Sequence, residues 1–206
     1  MRRVAVALAV PLLAVAATAL AAEPDTRAIS TSVTGMFYAM RDQADFGVGI
    51  ATLDRGPLHF EARYQYEAKD SASVFAGWTF SGGERLTYSV RPILGVLAGR
   101  SQGVIPGVEA SLAYGPVDFY VEAEYVRFYH EPDESFTYAW SELGYTPWEW
   151  LRVGIVGQRT RTVDSERDIQ RGLFGQFILG PATVGVYAFN PDASSRYWIL
   201  SLGAKF

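Results

Sequence analysis

The sequence predicts an all-β protein: a transmembrane up-and-down antiparallel β-barrel of twelve strands, with ten as the alternative, after a cleaved signal peptide. Apolar and polar residues alternate with a period of two from residue 28 onward, as in strands with two different faces. Tight and longer connections also alternate along the chain, which is typical of a barrel with unequal ends. The last residue, Phe206, closes a strand-like segment.

The composition excludes several other classes. The absence of Cys rules out a disulfide scaffold and a thiolate metal site. The net charge of −4 argues against a nucleic-acid binder, which normally carries a basic patch. The chain has 12 Tyr, 12 Phe and 5 Trp but only two Lys, which is unusual for the surface of a soluble protein. We therefore expect no nucleic-acid partner, metal or cofactor.

Residues 1–21 have the pattern of a bacterial secretory signal peptide. Arg2 and Arg3 precede an apolar stretch over 4–17, and Ala19-Leu20-Ala21 fits a small-x-small cleavage site. A retained N-terminal anchor is the alternative. Cleavage leaves residues 22–206 as a single barrel domain. No other apolar run is long enough for a transmembrane helix.

Twelve segments carry strand signals. In the clearest one, Phe60, Tyr64 and Tyr66 fall on one face, and Glu61 and Arg63 fall on the other. The segments are 28–39, 46–54, 58–68, 72–81, 85–99, 104–114, 117–129, 136–145, 150–161, 169–179, 182–189 and 196–206. Pro92 and Pro106 interrupt two of them, so we expect a bulge or a strand end at each.

The connections form two alternating sets. The tight set, rich in Gly and Pro, comprises 55–57, 82–84, 115–116, 146–149 and 180–181. The other set is mostly longer and charged, and it comprises 40–45, 69–71, 100–103, 131–135, 162–168 and 190–195. An even strand number places both barrel termini on the same side of the barrel. Because all connections are short, we expect no large loop that folds inward to constrict the lumen.

The final segment resembles that of a known class, the outer-membrane β-barrels of Gram-negative bacteria. Its apolar residues alternate and end in an aromatic residue. The resemblance implies an integral outer-membrane location with both barrel termini on the periplasmic side. It also implies contact with lipid and lipopolysaccharide, and assembly by the barrel-insertion machinery. The implied assembly signal consists of Trp198, Leu200, Leu202, Gly203, Ala204 and Phe206.

Ionisable side chains occupy the polar face of the strands, which in a membrane barrel faces the lumen. The candidate lumen residues are Glu61, Arg63, Gln65, Glu67, Arg85, Arg91, Glu109, Asp118, Glu122, Glu124, Glu142, Arg152, Gln158, Gln176 and Lys205. Opposite charges on neighbouring strands would pair along the wall. Such pairs either satisfy one another structurally or line a solute path and set its selectivity.

These features predict a narrow, porin-like passive channel for small polar solutes. A non-conducting structural barrel sealed by lumen salt bridges is the alternative. A lipid-modifying enzyme centred on His130 is a third hypothesis. Counting alternate residues from Asp118 places His130 on the lumen face. The sequence has no G-x-S-x-G or other nucleophile signature, so we expect no enzymatic activity.

Overall fold

The computed structural model describes residues 28–41, 43–162 and 168–206. They form one antiparallel sheet of thirteen segments. The segments are β1 (Ile29–Met40), β2 (Phe46–Arg55), β3 (Leu58–Tyr64), β4 (Ser71–Trp78), β5 (Phe80–Gly82), β6 (Leu86–Gly99), β7 (Gly103–Tyr114), β8 (Val117–Phe128), β9 (Phe136–Trp148), β10 (Leu151–Thr162), β11 (Asp168–Leu179), β12 (Ala182–Phe189) and β13 (Tyr197–Lys205). The predicted signal peptide lies outside the described residues.

The sheet closes into a barrel of twelve strands. The segments β4 and β5 are two parts of one strand, because both pair with β6 in the same register. Strands adjacent in sequence pair with each other, and β13 pairs with β1. At this seam the Thr31 amide donates to the Phe206 carbonyl oxygen (3.1 Å), and the Phe206 amide donates to that of Thr31 (2.8 Å). The predicted twelve-stranded antiparallel barrel is therefore confirmed.

The two ends of the barrel differ as the sequence predicts. The tight turns lie at the end where β1 begins and β13 ends, which we call the turn end. The longer connections lie at the opposite end, which we call the loop end. One of them contains a short 3₁₀ turn, Pro132–Glu134. Among the described residues, no helix is long and apolar enough to cross a membrane.

The prolines interrupt the sheet differently from the prediction. Strands β6 and β7 continue through Pro92 and Pro106 without a bulge or an end. Instead, the neighbouring ladders are interrupted. The fourth strand breaks at Thr79, near Pro92, which has no amide hydrogen to donate. The pairing of β7 with β8 is interrupted at Ile105 and Pro106. A proline removes one amide donor and so disturbs only one of its two ladders.

The only register shift among the described strand pairs lies between β9 and β10. It falls between the Leu151–Trp148 and Val153–Tyr145 pairs. Strand β9 thus includes Pro147 and continues to Trp148. The tight turn predicted at 146–149 is therefore shifted to Glu149 and Trp150.

The connection after β3 folds into the barrel. Strand β3 ends at Tyr64, four residues before its predicted end. Gln65 adopts a positive φ of 56°, which interrupts the strand alternation. Tyr66, Glu67 and Ala68 are consequently all buried, so the predicted position of Tyr66 on the outer, apolar face is wrong. Even a connection of six residues can place side chains in the lumen.

The outer and inner faces of the wall differ in packing. Outward-facing aromatic residues are exposed at both ends, including Trp198 (51%) near the loop end and Phe206 (76%) at the turn end. The inner face carries both the charged residues and a buried apolar cluster. Trp140, Phe189 and Ile199 belong to that cluster and are fully buried. The lumen is therefore largely filled by side chains.

Inward-facing glycines make room for two aromatic rings of this cluster, those of Phe75 and Phe174. A Cβ atom at Gly95 would lie 2.4 Å from the Phe75 ring, and one at Gly154 would lie 2.7 Å from the Phe174 ring. Such alternation of small and large inward residues lets a barrel interior fill without strain.

We expect Gly95→Ala to lower the free energy of unfolding by about 1–3 kcal/mol, because the added methyl group overpacks the interior against Phe75. Urea unfolding of the refolded protein in lipid vesicles, followed by Trp fluorescence, measures this loss. Gly49→Ala is the matched control, since no atom lies within 4 Å of the added carbon. Equal stabilities of the two variants would contradict this description of the packing.

Candidate functional site in the barrel interior

The interior divides into an aromatic region and a charged region. Near the loop end, Tyr38 stacks on Phe46 (centroids 4.3 Å apart), and Phe189 stacks on Tyr197 (4.8 Å). Towards the turn end, two clusters of buried ionisable side chains surround Arg63 and Arg152. Burying charge is costly unless each group is paired and hydrogen-bonded, so the geometry of these two clusters is decisive.

Arg63 on β3 is the centre of the larger cluster. Its Nη1 atom donates to Glu124 (2.8 Å) and to Glu67 and Glu122 (3.3 Å each), and its Nε atom donates to Glu61. Glu122 and Glu124 belong to β8, so these bonds cross the lumen. One buried cation thus joins β3, the connection after it and β8.

Aromatic and hydroxyl groups complete this cluster. The Tyr66 and Phe75 ring centroids each lie 4.2 Å from the guanidinium carbon of Arg63, in cation–π geometry. The Tyr66 hydroxyl donates to Glu122 (2.7 Å), and the Ser73 hydroxyl donates to Glu67 (2.8 Å). The inward-folding connection therefore contributes both an acid and an aromatic ring.

A chain of charged groups continues to the turn end. The buried His59 ring lies between Asp54 (Nδ1–Oδ1 2.8 Å) and Glu61 (Nε2–Oε2 3.2 Å). An imidazolium would satisfy both carboxylates, because both of its nitrogens donate. Arg91 donates to Glu109 (2.8 Å) and to Asp54 (3.4 Å). These contacts link the Arg63 cluster to the mouth of the barrel.

Arg152 organises the second cluster. Its Nε atom donates to both oxygens of Asp118 (3.0 and 3.1 Å), and its Nη1 atom donates to Glu142 (2.6 Å) and Gln176 (3.0 Å). The Phe174 ring centroid lies 4.6 Å from its guanidinium carbon. Like Arg63, this arginine combines carboxylate and aromatic contacts, a combination that suits its planar group.

A cavity of about 230 Å³ opens at the turn end. Its lining includes Asp54, Arg91, Glu109 and Lys205, together with hydroxyl groups such as that of Thr52. The charged chain described above thus reaches a space large enough for small solutes and ions. In the described part of the chain, no three His, Asp or Glu side chains are grouped so that they could hold a metal ion.

The structure brings most of the predicted lumen residues together. It buries Glu61, Arg63, Glu67, Glu109, Asp118, Glu122, Glu124, Glu142, Arg152, Gln158 and Gln176. Arg91 is partly buried, and Lys205 lies at the mouth. Arg85 is a correction: it is exposed in the turn before β6, because the strand begins one residue later than predicted. Gln65 lies in the connection after β3, where its amide donates to the Gly47 carbonyl oxygen.

The remaining sequence-based assignments fall on the outer wall and rim. Trp198, Leu200, Leu202 and Phe206 are exposed on the wall, whereas Gly203 is buried on the inner face. Ala204 shares the outer face with them; their role as an assembly signal stays a prediction. His130 is exposed in the connection after β8, because that strand ends at Phe128. Its predicted lumen position is therefore wrong.

Sequence reasoning missed two members of the charged chain, Asp54 and His59. Each lies two residues from an inward-facing residue of its own strand, and therefore on the same face: Asp54 from Thr52, and His59 from Glu61. This alternation of inward and outward residues was the signal that could have identified them.

Comparisons with known proteins agree with the architecture. No family model matches the chain, and no curated protein matches it either. Among solved structures, the KdgM porin is similar with a TM-score of 0.60 at 12% identity, over 85% of this chain and 98% of that chain. A second structure, the KdgM porin in complex with disordered oligogalacturonate, has a TM-score of 0.61 at 12% identity, with the same coverage.

The closed barrel, its apolar outer wall and this likeness of fold lead to one location. The protein is an integral outer-membrane β-barrel of Gram-negative bacteria, with a porin-like fold. The turn end, which carries both barrel termini, faces the periplasm, and the loop end faces the exterior.

We expect Arg63→Ala to destabilise the barrel by about 3–5 kcal/mol, because four buried carboxylates lose their shared cation. Adding Glu122→Gln should restore part of this loss, since it removes one negative charge. Unfolding in urea measures both effects. Arg100→Ala is the control, because Arg100 and Asp70 form an exposed pair at 3.7 Å. A loss at Arg63 no larger than the loss at Arg100 would contradict the central role of this cation.

Proposed function

We propose that the protein is a narrow, porin-like passive channel whose acidic lumen favours small cations and uncharged polar solutes over anions. The single observation that carries the proposal is the charge balance inside the barrel. Eight carboxylates occupy the interior and its mouth: Asp54, Glu61, Glu67, Glu109, Asp118, Glu122, Glu124 and Glu142. They face three arginines, namely Arg63, Arg91 and Arg152.

This imbalance supports a role beyond structure. With His59 and Lys205 counted beside the three arginines, the interior and its mouth still hold three more acidic than basic side chains. A purely structural interior gains little from acids in excess of its cations, because several acids must then share one cation while each still costs desolvation energy. An excess of one sign along a lumen concentrates counter-ions and excludes co-ions, and rings of acidic side chains select cations in channels.

The dense packing of the lumen limits the ionic current that the proposed channel can carry. Large side chains such as Trp140 and Tyr38 fill the loop-end half, and Arg63 is held between β3 and β8. A solute could pass only along narrow gaps between these groups or after they move. We therefore expect small conductance steps.

The fold likeness to the KdgM porin does not transfer its ligand. Oligogalacturonate, present in one KdgM structure, is a chain of carboxylated sugars. An interior with excess carboxylates repels such a polyanion. We therefore assign this chain a different solute class, that of cations and neutral polar molecules.

The dense interior supports a second candidate, a non-conducting structural barrel. Glu122, Tyr38 and Phe189 have no exposed surface, and ion pairs connect opposite walls. The proposal includes no enzymatic step. His59 is engaged with Asp54 and Glu61, and among the described residues neither histidine hydrogen-bonds to a serine.

Recordings in planar lipid bilayers at low salt test the function. We expect small conductance steps for the wild type and at least a twofold lower potassium conductance for the Asp54→Asn/Glu109→Gln variant. The reason is that both carboxylates line the mouth cavity and raise the local cation concentration. High salt should shrink the difference by screening.

The exposed Glu134, in the 3₁₀ turn at the loop end, provides the control, and Glu134→Gln should conduct like the wild type. An absence of steps at every voltage and salt concentration would reject the channel in favour of the structural barrel. Steps unaffected by the Asp54→Asn/Glu109→Gln change would show that the mouth carboxylates lie off the path.

A further inference from the structure

The ionisable residues on the outer wall all carry the same sign. At the outward-facing positions of the described strands, these residues are Arg55, Arg127, Arg159, Arg161 and Arg171. None of those positions holds Asp or Glu, whereas eight carboxylates occupy the interior and its mouth. The inner face and the mouth therefore hold more acidic than basic side chains, whereas the ionisable side chains of the outer face are all basic.

Four of these arginines lie together near the loop end, and we call Arg127, Arg159, Arg161 and Arg171 the arginine sector. Arg159 pairs with Ile169 and Arg171 with Gly157, so these two arginines are diagonal neighbours across β10 and β11. The other two, Arg161 and Arg127, lie on either side of Thr137 of β9. Thr137 pairs with Arg161 on β10 and with Tyr125 on β8. Arg127 follows Tyr125 by two residues and lies on the same face of β8. All four are exposed.

Such clustering is unfavourable without an anion. Like charges on neighbouring positions of one sheet face repel each other. An arginine on the lipid-facing side of a barrel is costly at the bilayer midplane and nearly neutral at the interface. Arg171 also forms an exposed pair with Asp192 (2.9 Å). The position of the sector at the interface fits a phosphate ligand, because guanidinium groups bind phosphate through two parallel hydrogen bonds.

The wall below the sector is suited to acyl chains. Leu143, Ile155 and Leu173 form one outward row across β9, β10 and β11, and each is about half exposed. Between this row and Arg159 lie Ser141 and Gly157, whose small size leaves room beside the guanidinium groups. An amphiphile fits this surface if its phosphate groups contact the arginines and its acyl chains contact the apolar row below them.

A neighbouring concavity extends the same rim. A cavity of about 330 Å³ at the loop end of β12 and β13 is lined by Pro191, Arg196 and Trp198, among others. It combines another arginine with an aromatic ring at the level of the interface.

We propose that the arginine sector binds the phosphate groups of lipid A, the phosphorylated glycolipid that anchors lipopolysaccharide in the outer leaflet. The loop end faces the exterior, so the sector lies in the leaflet that contains this lipid. The acyl chains of the bound lipid lie against the Leu143–Ile155–Leu173 row. The site is on the outside of the barrel and does not depend on conduction through the lumen.

Native mass spectrometry of the refolded full chain in detergent tests this proposal. The probes are bis-phosphorylated lipid A and dephosphorylated lipid A with the same acyl chains. We expect the wild type to bind the phosphorylated form at least tenfold more tightly. The Arg159→Gln/Arg161→Gln/Arg171→Gln variant should lose this preference, and Arg55→Gln/Arg85→Gln, which changes two arginines at the turn end, should keep it.

Equal binding of the two lipids by the wild type, or an unchanged preference in the triple variant, would overturn the proposal. Equally tight binding of phosphatidylglycerol would overturn it as well, because the site would then be a general anionic one. If the triple variant does not fold, Arg159→Gln alone should weaken binding at least threefold, and unchanged binding would count against the site. Wild-type conductance of the folded variant separates this result from the channel proposal.

Discussion

The contact of the Arg63 guanidinium with four carboxylates, two of them across the lumen, is the interaction on which the rest of the interior depends. It connects β3 with β8, which are not neighbours in the sheet, and it holds Glu67 of the inward-folding connection. Arginine suits this place better than lysine would, because it offers five donors and a planar group that lies against the Tyr66 and Phe75 rings. The Phe75 ring in turn requires the glycine at position 95. Packing and charge are thus coupled at one point.

The same wall separates charge by sign. Its inner face and mouth hold all the carboxylates that surround Arg63, Arg91 and Arg152, and its outer face holds arginines near the membrane interface. This separation follows from the two environments. Inside, hydrogen-bonded partners and counter-ions can compensate acids, whereas outside, a charged group is tolerated only where it reaches the headgroup region. The proposed selectivity in the lumen and the proposed lipid binding on the wall both rest on this one arrangement.

The architecture could be predicted well from the sequence because short-range sequence features specify the fold of a membrane barrel. Alternation with a period of two, turn residues such as Gly56 and Gly115, and the last strand ending in Phe206 each reflect a short-range requirement. The predictions failed where the backbone left the regular pattern. The positive φ of Gln65 turned Tyr66 into the lumen, and the register shift between β9 and β10 moved a turn.

Contacts across the lumen could not be predicted in the same way. The alternation of inward and outward residues along each strand placed Arg63, Glu122 and Glu124 on the inner face. Their pairing, however, depends on the closure of the barrel and on side-chain length. The aromatic filling was missed for a related reason. Trp140 and Tyr138 alternate with small residues such as Ala139 in the same way that lipid-facing aromatics do, so composition alone does not tell the two faces apart.

The central proposal is that the interior, which holds more acidic than basic side chains, lets small cations pass in preference to anions. The reversal potential of the wild-type protein in a planar bilayer, under a tenfold gradient of potassium chloride, tests it most directly. We predict a displacement towards the potassium equilibrium potential that decreases as the ionic strength on both sides is raised. A displacement towards the chloride equilibrium potential, or none at low salt, would contradict the claim.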